Sequence, residues 1–167
     1  MGKIIAICNQ KGGVGKTTTA INLGYYIAHK GKKVLLIDFD PQGNATSGLG
    51  VDKSKRDKNI YDVLINDVQP QDVVHDLYIP EFRLVPSSIT LTGAEIELIS
   101  LMNREYRLKN SLKAISNDYD FILIDSPPSL GLLTINALTA ATSVLIPIQC
   151  EYYALEGLSQ LLNTINL

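Results

Sequence analysis

The chain has 167 residues, of which 46% are hydrophobic, and this suffices for one ordinary domain with a sizeable core. Its formal net charge of −2 gives no overall attraction to nucleic acid or to an anionic membrane. All Lys and Arg lie at or before Lys113, so residues 114–167 are expected to form a poor DNA-binding surface. Two cysteines, Cys8 and Cys150, exclude a disulfide framework and a Cys/His zinc site, and we expect both to be buried reduced thiols.

The chain opens with an apolar run over residues 4–8, which predicts a strand buried on both faces. A glycine-rich turn follows, and helical spacing of small and apolar residues predicts a helix from about Lys16 to His29 that ends at Gly31. This layout is typical of a phosphate-binding loop, because glycines let backbone N–H groups crowd around phosphate oxygens and a helix N-terminus attracts anions. The predicted nucleotide-binding residues are Lys11, Gly12, Gly13, Val14, Gly15, Lys16, Thr17 and Thr18.

The loop departs from the standard pattern at its start. The pattern G-x-x-x-x-G-K-[ST] would place glycine at position 10, where this chain has Gln10, and a second lysine, Lys11, precedes the glycines. Lys16 is expected to supply a charge for the β- and γ-phosphates, and Thr17 a hydroxyl for Mg²⁺. Lys11 adds a cation where phosphate charge develops, either in its own site or in that of a neighbouring subunit. We predict both lysines to be catalytic.

A second apolar run, over residues 34–37, predicts a buried strand that ends in Asp38-Phe39-Asp40. Strand, helix and strand in succession form a βαβ unit, whose strands should be parallel and whose crossover should be right-handed. Ligands of open α/β sheets bind at the carboxyl ends of the strands, so either aspartate can orient an attacking water. Asp40 lies farther into the loop and is the predicted catalytic residue, although a solvated loop start also explains the pair.

The middle of the chain is expected to hold loops, helices and one strand. The predictions are a polar loop over residues 41–50, a solvated basic loop over 53–58, a helix capped by Asn59 and running through Ile65, a helix over 68–78, a strand over 83–86, and a long helix over 93–115 that turns Ile96, Ile99, Met102 and Tyr106 to the core.

A third buried strand over residues 121–124 ends in Asp125, and Pro127 and Pro128 follow in what should be a rigid turn. This is the expected place of an aspartate that holds Mg²⁺ through water, opposite Thr17. Alternatively, the aspartate caps the next helix.

The stretch from 126 to 150 has no charged residue, but its prolines and polar residues favour a helix over 130–141 and a strand over 143–148 rather than a membrane span. A last helix is expected from Ala154 to Leu167, without a capping signal at its end. No signal peptide opens the chain, so we do not expect secretion. The predicted fold is α/β: an open, mainly parallel sheet with helices on both faces, in a single domain over residues 1–167.

Several motifs together resemble the ParA/Soj-type partition ATPases. Residues 11–18 resemble the deviant Walker A loop of this family, and Asp38-Phe39-Asp40-Pro41-Gln42-Gly43-Asn44-Ala45-Thr46 resembles its second signature. Ile124-Asp125-Ser126-Pro127-Pro128-Ser129 is similar to its Walker B region. Further similar stretches are Pro86-Ser87-Ser88 with Gly93-Ala94-Glu95, and residues 149–157.

The resemblance implies a protein that binds ATP and Mg²⁺ and forms an ATP-dependent homodimer. In that dimer Lys11 reaches the partner's nucleotide, Asp40 places the water, and Thr17 and Asp125 hold the metal. It also implies non-specific DNA binding, a weak ATPase that a ParB-like protein stimulates, a role in chromosome or plasmid partitioning, and a cytoplasmic, nucleoid-associated location without membrane binding. Members of the family are longer, which implies that this chain is the N-terminal part of the usual domain, that its sheet is incomplete, and that further DNA and adenine contacts lie beyond Leu167.

Three other functions stay open on the sequence. An electron-transfer protein like the nitrogenase iron protein would need cluster-ligating cysteines near the dimer face. A MinD-type division-site regulator would need a C-terminal amphipathic helix, and its second motif does not continue with Pro-Gln-Gly-Asn. A small-molecule kinase or ligase would use the same loop and would consume ATP in proportion to an added acceptor.

Overall fold

The computed structural model describes residues 2–53, 58–150 and 154–165. Six strands form one sheet: β1 (Lys3–Ile7), β2 (Val34–Asp38), β3 (His75–Asp76), β4 (Phe82–Val85), β5 (Phe121–Asp125) and β6 (Ser143–Leu145). The α-helices of the described residues are α1 (Lys16–His29), α2 (Asn44–Gly48), α3 (Ile60–Ile65), α4 (Leu91–Leu98), α5 (Arg107–Leu112), α6 (Leu132–Ala140) and α7 (Ala154–Ile165). Short 3-10 turns lie at Pro70–Asp72 and Arg104–Tyr106.

The sheet has the strand order β3-β4-β2-β5-β1-β6. All neighbouring strands run parallel except β3 and β4, which are antiparallel. The predicted βαβ unit is present, since β1, α1 and β2 follow each other and β5 lies between the two parallel strands. The α/β fold with a mainly parallel sheet is therefore confirmed.

Two hydrophobic cores cover the two faces of the sheet, and this gives the predicted three layers. One core joins alternate strand residues such as Leu36 and Leu123 to α1. The other joins the intervening residues, such as Leu35 and Ile122, to α3, α4, α5 and α6. Gly24 of α1 sits against the first of these cores, where an added Cβ would lie 2.6 Å from the ring of Phe82, so glycine permits the close approach of helix and sheet.

The start of α3 follows the prediction. Asn59 accepts a hydrogen bond from the Tyr61 amide on its side-chain oxygen, and the Asp62 carboxylate accepts one from the Asn59 amide. Both bonds satisfy backbone donors that a helix start leaves unpaired, as in a capping box. Asn59 is therefore the N-cap that the sequence indicated.

The predicted helix over residues 68–78 is wrong. This segment contains one 3-10 turn and then β3, which pairs antiparallel with β4 so that His75 lies opposite Leu84. Pairing of β3 with β4 decides the structure here, because hydrogen bonds between strands at the edge of the sheet outweigh a weak local helix preference.

The predicted long helix over residues 93–115 is also wrong. It is divided into α4 and α5, and Asn103 between them has a positive φ of 53°. The buried residues of α4 are Leu91, Ala94 and Leu98, so α4 turns a different stripe to the core than the one predicted. The residues expected in the core are instead exposed: Ile96, Ile99, Met102 and Tyr106.

Other corrections are smaller. The predicted loop over residues 41–50 contains the short helix α2, and β6 ends at Leu145 rather than at position 148. Cys8 is buried as expected, but Cys150 is exposed. Part of the predicted basic loop, residues 54–57, and part of the last family-like stretch, residues 151–153, lie outside the described residues. Across the described ranges, no helix is both long enough and apolar enough to span a membrane.

Candidate functional site

Three polar segments meet at the carboxyl edge of the sheet. In the strand register, Asp125 at the end of β5 lies opposite Ile7 of β1 on one side and opposite Asp38 of β2 on the other. The glycine-rich loop continues from β1, and the loop that carries Asp40 continues from β2. The sheet thus brings together the predicted phosphate loop, the predicted metal-binding aspartate and the predicted water-orienting aspartates.

The glycine-rich loop is an open cradle between β1 and α1. Gly13 and Gly15 have positive φ angles of 75° and 89°, which residues with a Cβ rarely adopt. A Cβ built at Gly12, Gly13 or Gly15 would meet no heavy atom within 4 Å, so the space beside the loop is empty. Helix α1 begins at Lys16 without a side-chain cap, and its first N–H groups therefore face the same space as the cradle. This geometry suits a phosphate group.

Lys16 lies buried beneath this loop although it carries a charge. Its Nζ donates a hydrogen bond to the Lys11 carbonyl over 3.1 Å. Burial lowers the pKa of Lys16, and the nearby carboxylates of Asp125 and Asp40 act in the opposite direction. A cation held between a phosphate cradle and two carboxylates is placed to bind phosphate oxygens.

Thr17 and Thr18 follow in the first turn of α1. Thr17 is half-buried and Thr18 is exposed, and Val14 of the loop is buried. The Thr17 hydroxyl is close enough to Asp125 to lower the pKa of that carboxyl in part. Lys11 is half-buried, with its backbone amide donating to the Asn9 side chain.

Asp125 is a buried carboxyl group that lacks a well-formed hydrogen bond. Neither of its oxygens has a partner of normal hydrogen-bond geometry, although the Thr17 hydroxyl interacts with the carboxyl, and the residue is only 1% exposed. Burial raises its pKa to about 7, the Thr17 hydroxyl lowers it, Asp38 and Asp40 raise it, and Lys16 lowers it. Such a buried acceptor pair fits a divalent cation, because an unpaired buried carboxylate is otherwise costly.

The chemistry of the neighbouring groups narrows the choice of cation. No cluster of three His, Cys, Asp or Glu side chains suited to a metal occurs in the part of the chain that the structure describes. Mg²⁺ is commonly held by one or two protein oxygens together with substrate phosphates and waters. Asp125 and Thr17, beside a phosphate cradle, fit that coordination.

Asp38 differs from Asp125 in its donors. Its Oδ2 accepts hydrogen bonds from the Thr46 amide over 2.7 Å and from the Thr46 hydroxyl over 2.6 Å, and its Oδ1 accepts one from the Asp40 amide over 3.3 Å. Burial still raises its pKa, and these bonds lower it in part. Asp38 is completely buried, so its carboxylate holds the start of the loop together.

Asp40 lies two residues farther along, where the loop turns. Its Oδ1 accepts a hydrogen bond from the Gln42 amide over 2.8 Å, and its carbonyl accepts one from the Gly43 amide over 2.8 Å. The residue is 8% exposed, in contrast to Asp38. Of the two predicted water-orienting residues, Asp40 is therefore the one with access to solvent.

Two further residues hold the phosphate loop and were not predicted. The Asn9 side chain accepts from the Lys11 amide and donates to the Pro147 carbonyl over 2.7 Å. Gln149 donates to the Gly13 carbonyl over 3.2 Å. Both bonds connect the loop to the segment after β6, which neighbours β1 in the sheet. Gln149 begins one of the family-like stretches, whereas a lone Asn9 after an apolar strand gave no signal.

Cys8 packs against the segment that follows Asp125. Its thiol donates a hydrogen bond to the Ser126 hydroxyl over 3.1 Å, and burial raises the pKa of the thiol to about 11. A thiolate is therefore disfavoured at this position, which does not suit a ligand of an iron–sulfur cluster. The electron-transfer alternative loses one of its two cysteines.

Comparisons with known proteins show the family to which the chain belongs. A family model described as an AAA domain matches residues 2–167. The sporulation initiation inhibitor protein Soj of Bacillus subtilis (strain 168) is 60% identical over 167 residues, which are 100% of this chain and 66% of that protein. The chain spans between 59% and 66% of the length of the first two curated relatives that it matches.

Solved structures show the same fold. A cobyrinic acid a,c-diamide synthase from Mycobacterium smegmatis, with bound ADP and magnesium, superposes with a TM-score of 0.95 and 44% identity over 99% of this chain and 67% of that one. A plasmid partition protein from Borrelia burgdorferi superposes with a TM-score of 0.89 and 35% identity over 99% of this chain and 74% of that one. The chain belongs to the AAA domain family, among the ParA/Soj-type P-loop proteins that its motifs indicated.

Proposed function

We propose that this chain binds ATP and Mg²⁺ and hydrolyses ATP as a molecular switch in DNA partitioning. The observation that carries the proposal is the buried, unpaired carboxylate of Asp125 next to Thr17 and an open glycine cradle. A buried carboxylate without donors is expensive unless a cation neutralises it. The backbone N–H groups of the glycine cradle lie beside this carboxylate and can bind the phosphates that would share the cation.

Each residue of the edge then has a role. The N–H groups of residues 12–18 bind the β- and γ-phosphates, and Lys16 exchanges its bond to the Lys11 carbonyl for one to phosphate oxygens. Thr17 and Asp125 would be the residues that hold Mg²⁺. When bound, the ion neutralises charge that develops on the phosphates during phosphoryl transfer.

Asp40 orients the attacking water in this proposal. Its carboxylate lies at the mouth of the site, fixed by the Gln42 amide, whereas Asp38 already accepts three hydrogen bonds. Positioning contributes most of the catalysis in phosphoryl transfer, so this carboxylate needs no special basicity.

Lys11 is proposed to act in the nucleotide site of a second copy, in an ATP-dependent homodimer. Its own backbone amide and carbonyl are engaged by Asn9 and Lys16, which holds the start of the loop in a fixed conformation. A second cation on this loop would complete charge neutralisation across the face of the site.

Complementation distinguishes the two possible sites of Lys11. Lys11→Ala and Asp40→Ala variants are each expected to be inactive. In a mixed dimer with Lys11 acting in trans, the site that has its own Asp40 receives Lys11 from the other subunit, so mixing should restore up to about half of the parental rate per site. If mixed dimers form, as shown by tag capture, and remain inactive, then Lys11 acts in its own site.

The partition role is supported by relatives that are named for it. These include a chromosome partitioning protein ParA of Myxococcus xanthus and the plasmid partition protein from Borrelia burgdorferi. We propose non-specific DNA and a ParB-like stimulating protein as partners, in the cytoplasm at the nucleoid. Because the basic residues of this chain all precede position 114, DNA contacts within it would lie in the N-terminal two thirds.

A ligase-type activity is the second candidate, because one structural relative carries the name of an amide-forming synthase. The hydrolase and the synthase can be distinguished by whether ATP consumption requires an added acceptor substrate. A partition switch hydrolyses ATP with water alone and responds to DNA and to its partner, whereas a synthase requires an acid and an amine donor in proportion to the ATP consumed.

Titration of ATP with Mg²⁺ into the full chain, followed by a phosphate-release assay, tests the proposal. Lys16→Ala should weaken binding by at least about 100-fold, because the phosphates lose a charge-assisted partner worth roughly 3 kcal/mol. Lys33→Ala, which removes an exposed lysine after α1, is the matched control and should bind as the parent does. Equal affinity of the parent and Lys16→Ala would contradict the phosphate-loop assignment.

A further inference from the structure

Thr46 is a fully buried polar residue of α2 whose hydrogen bonds join three segments of the molecule. Its hydroxyl donates to Asp38 Oδ2 over 2.6 Å and accepts from the Ser87 amide over 3.0 Å. Its amide donates to the same Asp38 oxygen over 2.7 Å. The direction of these bonds is fixed, because an amide can only donate and the single hydroxyl proton then goes to the carboxylate.

These bonds leave the other oxygen of Asp38 for the next residue of the loop. Asp38 Oδ1 accepts from the Asp40 amide, and the Asp40 carbonyl and carboxylate accept from Gly43 and Gln42. The Asp38 carboxylate thus fixes the backbone amide of Asp40, and the amide and hydroxyl of Thr46 fix the Asp38 carboxylate. Through Ser87, this chain of bonds also reaches the end of β4, which neighbours β2 in the sheet.

We propose that Thr46 is a positioning residue for ATP hydrolysis: it fixes Asp38, and Asp38 fixes the backbone from which Asp40 presents its carboxylate to the attacking water. The inference rests on the proposed function, since it assumes that Asp40 orients the water. Thr46 touches neither nucleotide nor water in this account. The buried, charge-assisted hydrogen bond of 2.6 Å from the Thr46 hydroxyl holds the Asp38 carboxylate in a fixed position, which the positioning of Asp40 requires.

The position of α2 supports this role over a purely structural one. The hydroxyl and the amide of Thr46 both donate to Oδ2 of Asp38. Oδ1 of Asp38 is therefore available to accept the hydrogen bond from the Asp40 amide. The neighbouring Ser47 is exposed on the same helix. Ser47 therefore provides a matched control that removes a hydroxyl from α2 without touching the chain of bonds.

The test compares Thr46→Val, Thr46→Ser and Ser47→Ala in the full chain by steady-state ATP hydrolysis and by ADP titration. Thr46→Val removes the hydroxyl at nearly constant volume and should lower kcat by about 10- to 100-fold, because small misplacements of a catalytic group have effects of this size. KM and ADP affinity should stay within about twofold of the parent, since the phosphate loop is untouched. Thr46→Ser retains both hydroxyl bonds and should stay within about threefold of the parental kcat, and Ser47→Ala should match the parent.

Several results would overturn the proposal. A parental kcat in Thr46→Val would show that the hydroxyl does not matter for hydrolysis. An equal loss in Thr46→Val and Thr46→Ser would show that keeping the hydroxyl gives no benefit, so that the fit of the whole side chain, and not its hydrogen bonds, determines kcat. Weakened ADP binding in step with kcat would indicate damage to the whole site. If Thr46→Val does not fold, Thr46→Ala keeps the amide donor and provides the same comparison with Thr46→Ser.

The failure of this inference can be told apart from that of the proposed function. A parent chain without ATP hydrolysis overturns both. A parent that hydrolyses ATP, an inactive Asp40→Ala variant and a fully active Thr46→Val variant together overturn the positioning role alone.

Discussion

Asp125 and Asp38 end neighbouring strands and lie opposite each other in the register of β5 and β2. Both are completely or almost completely buried, yet Asp38 accepts three hydrogen bonds whereas neither oxygen of Asp125 has a partner of normal hydrogen-bond geometry. Burial of a carboxylate is tolerated where donors replace the lost water, so Asp38 stabilises its loop. Asp125 lacks that compensation, which supports the proposal that this carboxylate binds a cation.

The largest expected effect concerns the pH dependence of the nucleotide-free chain. The pKa of Asp125 is about 7 in the folded protein and near 3.8 when exposed, so the folded state holds its proton more tightly. The stability that this group contributes is full below about pH 4 and is lost as pH rises to about 7, a loss of roughly 4 kcal/mol. Urea unfolding at a series of pH values should show this decline.

Asp125→Asn provides the control for that prediction. The amide cannot ionise, so the decline in the free energy of unfolding between about pH 4 and 7 should largely vanish, and the variant should exceed the parent in stability at pH 8. The raised pKa of Asp38 acts in the same direction and should leave a residual slope. A variant that keeps the full parental slope would show that Asp125 is not the destabilising group.

A smaller effect is expected when Asp38 is made to resemble Asp125. Thr46→Val removes one of its three donors and should lower the free energy of unfolding by roughly 1.5–3 kcal/mol, the range for hydrogen bonds to charged groups. Thermal and urea unfolding measure it, with Ser47→Ala expected within about 0.5 kcal/mol of the parent. If Thr46→Val were as stable as the parent, the donors of Asp38 would not explain the contrast between the two carboxylates.

The smallest effect is expected at Cys8, which contacts the segment after Asp125. Cys8→Ser keeps a donor near the Ser126 hydroxyl and should change stability by only about 1 kcal/mol. Nucleotide affinity should be unchanged, because the side chain lies below the loop and forms no part of the cradle. A visible absorbance band of the parent that disappears in this variant would instead support the iron–sulfur alternative, and a loss of nucleotide binding would show that Cys8 supports the cradle.

The meeting of the candidate site's segments at one edge of the sheet was largely predictable, because each segment has a local sequence signal. Lys16 follows an apolar run and three glycines within a few residues, and Asp125 directly ends an apolar strand. Parallel βαβ connectivity then brings such strand ends to one edge without further information. The sequence favoured Asp40 over Asp38 as the catalytic residue, but the hydrogen bonds that engage Asp38 were not predictable, because Thr46 donates them only in the folded loop.

The segment between β2 and β5 was harder, and the reasons are physical. The break between α4 and α5 occurs at Asn103, whose left-handed conformation leaves no apolar signature. The buried stripe of α4 uses Ala94 beside two leucines, while its isoleucines face outward, so counting large apolar residues selected the wrong face. The bonds of Asn9 and Gln149 depend on β6 lying beside β1, a contact between residues more than 130 positions apart.

The central proposal is that Asp125 helps to bind a magnesium ion together with the nucleotide phosphates. Calorimetric titration of ADP with and without Mg²⁺ tests this proposal most directly. In the parent, Mg²⁺ should strengthen ADP binding by at least about tenfold, equivalent to roughly 1.4 kcal/mol. In Asp125→Asn this gain should disappear while ADP alone still binds through the glycine cradle and Lys16. An undiminished gain from Mg²⁺ in Asp125→Asn would contradict the account.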